Sequence, residues 1–422
     1  MADARGQSPE AKPTASGIAK EIASFILSID GLHLSFRPHL AFADAICIHC
    51  QRAITDFLEK YGQKQEESDG PIWQLPSEHH WELYRLSLRR QKADSNRAVF
   101  PQTGIVALVS QYDSFVGSLL RCLYRSRPEI LQQSKKRVTY SRLAQFSSLD
   151  HAKDHILEKE IEATLRSSHA DQFATMERRF DIKLRPEAWP KFIELTERRN
   201  LFVHCKGRVS EQYLIVCKKH KVDFPKKPQT GETLDVPIAY VDDAYDCLFE
   251  VGVTLGHTLW RKILPHEREV ADSALLMQIY HVIAAKRYKL AIAMGKFAQT
   301  APITKQSTDA IRKTNALNLA QAYKWIGQEQ EALRICEGDW SSSSNELKLG
   351  VAVLKDDFDK AAQIMKNIGD EGIPSKADYN SWPIFQAFRK TRQFQDAYKE
   401  IFGDQFVPLQ ATSVDALLDP SG

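Results

Sequence analysis

No stretch of this 422-residue chain stays apolar for the roughly 20 residues that a membrane-crossing helix needs. Its opening residues, MADARGQSPEAKPTASG, lack the apolar core of a signal peptide. The two absences predict a cytoplasmic protein with no membrane partner. Cysteine is sparse. The seven, Cys47, Cys50, Cys122, Cys205, Cys217, Cys247 and Cys336, are odd in number and scattered, which predicts reduced thiols and no disulfide framework. Cys47-Ile48-His49-Cys50 is half of a zinc ligand set, but no second Cys or His pair follows at zinc-finger spacing. His79 and His80 are adjacent and would point about 100° apart on a helix, a poor metal pair. No metal or cofactor is therefore expected. A large charge excess is also missing, and a net +3 excludes neither an RNA nor a protein partner.

What is present is a globular composition, 43% apolar and 26% charged, in a chain too long for one core. The periodicity is overwhelmingly helical. Helical spacing runs over 18–27 and 41–61, then a polar break covers 63–70. A mixed stretch, 71–100, holds a short helix near 81–88. A strong helix is predicted from 103 to 125, with Ile105, Leu108, Tyr112, Phe115, Leu119 and Leu123 in one apolar stripe. Val109, Val116 and Leu120 widen the stripe, and Asp113 falls on that side, where an acid needs a partner. Further helices are predicted over 150–168, 189–205 and 238–263. Pro190 suits the first turn of the third.

Between the last two helices, 206–237 is rich in Gly and Pro. Its apolar run Tyr213–Cys217 reads as a strand that could pair with 233–236 in a small basic hairpin. Beyond Pro265 an aromatic recurs three residues before an alanine: Tyr288 with Ala291, Phe358 with Ala361, Phe394 with Ala397. Ala332 repeats the alanine alone. Small alanines let paired helices approach, so 268–403 resembles a degenerate tetratricopeptide-type (TPR-like) array. Such an array is the natural place for an inhibitor or activator protein.

The chemistry-bearing string is Arg199-Asn200-Leu201-Phe202-Val203-His204. Histidine moves protons near neutral pH, arginine stabilises phosphate charge, and an amide orients either one, which suffices to cleave RNA without a metal. Phe192, Leu195, Arg199 and Phe202 share helical spacing, so Arg199 replaces an apolar residue in an inward stripe. Asn200 and His204 share a face. Arg199 and His204 lie roughly 140° apart around the axis, so a site using both calls for two chains across a two-fold axis. A basic cluster begins at the string and runs on from it, Arg198, Arg199, Lys206, Arg208, Lys218, Lys219, Lys221, Lys226 and Lys227, opposed only by Glu211 and Asp223. Of these, Arg198, Lys206, Arg208, Lys218 and Lys219 are the candidate RNA-backbone contacts.

Residues 100–265 resemble a HEPN domain. The resemblance rests on Tyr112-Asp113-Ser114-Phe115 through Arg127-Pro128-Glu129, on Glu197–His204 with its Arg-x4-His motif, and on Gly207-Arg208-Val209 to Tyr213-Leu214. It implies a metal-independent endoribonuclease, usually a toxin or defence effector, with its site formed across a dimer. Some members carry a tyrosine two residues after the histidine; here that position is Lys206. The expected catalytic set is Arg199, Asn200 and His204, with Asp113 holding Arg199. The expected fold is all-α, with a flexible 1–16, an N-terminal helical region 17–99, a HEPN-like bundle 100–265 carrying the hairpin, TPR-like repeats 268–403 and a loose tail 404–422.

Overall fold

A computed structural model of the protein describes residues 17–67, 70–133, 137–184, 186–305 and 307–408. The expected flexible segment 1–16 and most of the expected tail lie outside the described residues. The order begins with α1 (Gly17–Tyr61), the antiparallel pair β1 (Gln63–Glu67) and β2 (Gly70–Gln74), and α2 (His80–Ser126). It continues with α3 (Tyr140–Leu143), α4 (Leu149–Leu165), α5 (His169–Phe180), α6 (Trp189–His204), α7 (Glu211–Lys219) and α8 (Ile238–Ile263). The remaining helices are α9 (Arg268–Ala284), α10 (Tyr288–Ala298), α11 (Ala301–Thr304), α12 (Asp309–Trp325), α13 (Glu329–Cys336), α14 (Asn345–Leu354), α15 (Phe358–Ile368), α16 (Lys376–Ser381) and α17 (Arg392–Phe402). The class is all-α. Among the described residues β1 and β2 are the only strands.

The chain forms two compact units, one of Glu21–Gly252 and one from Val253 onward with the stretch up to Lys20. The anticipated border at 99/100 falls inside α2. In the first unit the whole α2 stripe is buried, Ile105, Tyr112, Leu119 and Leu123 completely. Tyr112 meets Phe192 of α6 edge-on at 5.0 Å between ring centroids and Phe25 of α1 at 6.3 Å. This packing fixes α6 against α2.

The predicted helices of the first hundred residues are longer than their sequence signals. The spans 18–27 and 41–61 are one helix that passes through Pro38, and α2 passes through Pro101. An internal proline removes one backbone hydrogen bond and costs about 3 kcal/mol in a helix interior. Helices of 45 and 47 residues absorb that loss. Phe36 stacks on Phe100 at 5.3 Å, so the two prolines lie at about one level of the α1–α2 pair.

The predicted basic hairpin is corrected by the structure. Residues 211–219, including the run Tyr213–Cys217, are helical, and Thr233 makes only an isolated bridge with Arg208. A five-residue apolar run does not separate strand from buried helix. Local chemistry decides it here. The Ser210 hydroxyl accepts the Tyr213 N–H, Glu211 sits in the first turn and Lys218 and Lys219 in the last. Tyr213 and Cys217, one turn apart, both bury against Leu201, Val209 and Leu234.

In the second unit α9/α10, α12/α13 and α14/α15 form successive helix pairs joined by one kind of turn. Lys286, Gly327 and Asp356 each take a left-handed conformation. The next N–H reaches back to the carbonyl five residues earlier: Arg287 to Val282, Gln328 to Tyr323, Asp357 to Ala352, at 2.9–3.1 Å. This is the Schellman closure of a helix end. Ala291, Ala361 and Ala397 are fully buried and Ala332 nearly so.

Candidate functional site

The site begins where α2 and α6 face each other. Arg199 donates to the Asp113 carboxylate from one guanidinium nitrogen and to the Asn200 side-chain oxygen, at 3.3 Å, from the other. The third nitrogen, Nε, is buried without a partner among the described residues. The acid on the apolar side of α2 and the cation in the apolar stripe of α6 thus satisfy each other.

Sequence reasoning missed two members of this cluster. His169, the first residue of α5, is 8% exposed and bonds to the other Asp113 oxygen through Nε2 at 2.8 Å. Ser168 caps α5 through the Asp171 N–H and so fixes where His169 points. Glu197 is the second. Burial raises its carboxyl pKa, opposed by the nearby charges of His169 and Arg199. A Ser-His-Ala-Asp start to an unpredicted helix was the only available signal for His169.

The His204 side chain is hydrogen-bonded to none of these groups. His204 is the last residue of α6, exposed, and has no hydrogen-bond partner among the described residues. The chain then turns sharply. Lys206 and Gly207 are both left-handed, and the Gly207 N–H closes on the Leu201 carbonyl at 3.0 Å. A side chain at Gly207 would meet the Phe202 ring at 3.2 Å, so both conformation and space call for glycine. The chain therefore gathers Arg199, Asn200 and Asp113 and leaves His204 outside the cluster.

Behind the turn, Lys206, Arg208, Lys218 and Lys219 are exposed, as are Lys221, Lys226 and Lys227, and none forms an ion pair among the described residues. Arg198 is the exception to the expected track. Its side chain is 12% exposed. It donates to Glu194 at 2.6 Å and to the Asp235 carbonyl at 3.1 Å, and lies 4.0 Å from the centre of the Tyr240 ring. Its location on α6 aims it inward, and its donors serve the fold instead of a phosphate. The buried Glu194 also accepts the Tyr213 hydroxyl at 2.6 Å and the Tyr240 hydroxyl at 2.7 Å. Burial beside that carboxylate pushes the Tyr213 phenol well up, so it stays a donor. One acid thus ties α7 and α8 to the motif helix.

Among the described residues no group of three or more His, Cys, Asp or Glu side chains is arranged to hold a metal ion. No helix of the described residues is long and apolar enough to cross a membrane. No family model, curated protein or solved structure matches the chain.

Proposed function

We propose that the chain is a metal-independent endoribonuclease of the HEPN type, a toxin or anti-phage defence effector that acts on RNA as a homodimer. The observation that carries this reading is the pairing of Arg199 with Asp113 beside Asn200, with His204 exposed one helical turn on and unpaired cations following it. In the proposed reaction the 2′-hydroxyl attacks the adjacent phosphorus. Its proton passes to a base, the 5′-oxygen leaves with a proton, and the products are a 2′,3′-cyclic phosphate and a 5′-hydroxyl. His204 moves a proton. Arg199 keeps donors in reserve beyond those held by Asp113 and Asn200, and these meet the charge that develops on the phosphorane oxygens. Lys206, Arg208, Lys218 and Lys219 follow the backbone. The helix pairs of the second unit, read as TPR-like, take an inhibitor or activator protein.

The test is incubation of labelled RNA with the purified protein in EDTA. Parent protein cuts RNA and spares DNA, and His204→Ala does not cut; cleavage by His204→Ala at the parental rate would sink the scheme. Lys218→Gln with Lys219→Gln lowers the salt dependence of RNA binding, by a log–log slope of about 0.7 for each phosphate no longer neutralised. A non-catalytic RNA-binding regulator or helical adaptor is the second reading. The observation in its favour is that Arg199 is already committed inward. Retention of RNA without cutting supports the regulator, and neither outcome supports the adaptor.

A further inference from the structure

The outer face of α2 near its start carries an aromatic pair that the bundle does not use. Trp81 is 71% exposed and Tyr84 57%, with ring centroids 5.6 Å apart and planes tilted by 30°. At 100° per residue, Trp81, Arg85, Leu88 and Lys92 fall on one stripe, with Tyr84 and Arg89 at its edges. The opposite face is the one that meets α1. There Arg90 bonds to the Gln51 side chain at 2.9 Å and to the Cys47 carbonyl, and Arg97 pairs with Asp44. Arg85 pairs with Glu82, but Arg89 and Lys92 are exposed and form no ion pair among the described residues.

Large aromatics are seldom left in water on a charged helix. Two tilted rings flanked by free cations suit one ligand chemistry: stacked bases on the rings and phosphates on the cations. The cations beside the rings favour a polyanion over an uncharged surface by charge complementarity. We propose that Trp81 and Tyr84 form a base-stacking platform for single-stranded RNA, with Arg89 and Lys92 holding its backbone. The inference rests on the reading of the protein as an RNA-acting enzyme. The platform lies on the same helix as Asp113, on the order of 50 Å along it at ~1.5 Å per residue. It therefore grips RNA far from the scissile bond, and long strands benefit where short ones do not.

The experiment uses the full chain and a fluorescent 2′-O-methyl oligouridine, which lacks the attacking hydroxyl and stays intact. Anisotropy gives the affinity. Trp81→Ala with Tyr84→Ala weakens binding by at least about tenfold, since stacking one base is worth roughly 5- to 150-fold. Trp81→Phe with Tyr84→Phe keeps a ring at each position and retains most of the affinity. Arg89→Gln with Lys92→Gln lowers the salt slope, which the aromatic variants leave unchanged. Unaltered affinity in the double-alanine variant overturns the platform. So does unaltered affinity together with loss of self-association in sedimentation, which would give the face to a second copy. Should the parent cut RNA while the double-alanine variant binds and cuts as the parent does, the platform falls and the nuclease reading stands. Failure of the parent both to bind and to cut removes both.

Discussion

His169 shows how a residue some thirty positions from the motif in sequence joins its side-chain cluster. It bonds to one oxygen of Asp113 while Arg199 takes the other, so the carboxylate is gripped from both sides. In the proposed nuclease His169 is a positioning residue that acts through Asp113. Misplacing a catalytic group by about 1 Å can cost on the order of a hundredfold in rate. His169→Ala is expected to lower kcat for RNA cleavage by about 10- to 100-fold with little change in KM. His169→Gln, whose amide can still donate to Asp113, should recover much of the loss. A stability role alone would lower the melting temperature and leave kcat of the folded fraction intact. A second histidine, His257, belongs to the other unit. Arg261 donates to its Nδ1 at 2.7 Å, so its Nε2–H donates to Gln278 at 2.8 Å. Asp272 pairs with Arg261 on the far side. Burial, and then the Arg261 charge, push this imidazole down to about 3. An unfolded histidine titrates near 6.5. Between those values the unfolded chain binds a proton that the folded one refuses. Its contribution is therefore full above about pH 6.5 and is lost as pH falls toward about 3. The melting temperature of the parent should drop on acidification from neutral pH to about pH 4.5, and that of His257→Gln should drop less. Equal drops in both proteins would count against the assignment.

At the scale of elements, legibility followed the length of each periodic signal. The α2 stripe was readable because its apolar positions from Ile105 to Leu123 repeat over about five turns, and each is buried. The motif helix was readable for the same reason, and so was the need of Asp113 for a partner. Short elements were not. α5 has a strongly polar sequence, and α7 has a five-residue apolar run that fits strand or helix. Only its cap and the distant Leu234 decide it, and the second of these is a tertiary contact. Two long helices were read as shorter pieces because a proline marks a helix end in most local contexts. The helix pairs of the second unit were legible as alanine–aromatic steps, but their shared turn was hidden, because two of its three left-handed positions are Lys286 and Asp356 instead of glycine. That choice of residues has an energetic consequence. A left-handed conformation costs a residue with a Cβ about 1–2 kcal/mol, part of which glycine gives back as chain entropy. Lys286→Gly should stabilise the fold by about 0.5–1 kcal/mol and Asp356→Gly by less, because Asp356 also pairs with Lys324, whereas Gly327→Ala should cost about 1 kcal/mol. Urea unfolding of the three variants, with destabilisation by both glycine substitutions, would contradict the turn assignment.

At the scale of the whole molecule the question is how many chains make one site. Within one chain Arg199 turns inward to Asp113 and His204 ends the helix exposed, bonded to none of the cluster. Helical geometry sets their directions apart, and the rigid packing of α6 against α2 leaves little freedom to bring them together. A two-fold axis beside α6 would instead set the histidine of one chain near the arginine of the other, twice per dimer. This arrangement makes a prediction that a one-chain site does not. Arg199→Ala and His204→Ala are each expected to be inactive alone. Mixed in equal amounts and allowed to exchange subunits, half of the dimers contain one of each. In such a dimer the two altered residues fall in the same site, and the other site has an intact arginine and an intact histidine. One site in two is restored in half of the dimers, so the mixture should recover about a quarter of the parental RNA cleavage rate. If arginine and histidine came from the same chain, every site in the mixture would lack one of them and no activity would return. A mixture that stays inactive while mass measurement shows mixed dimers would place both groups of the site on one chain. An inactive mixture with only monomers present would show that the chain does not assemble as proposed.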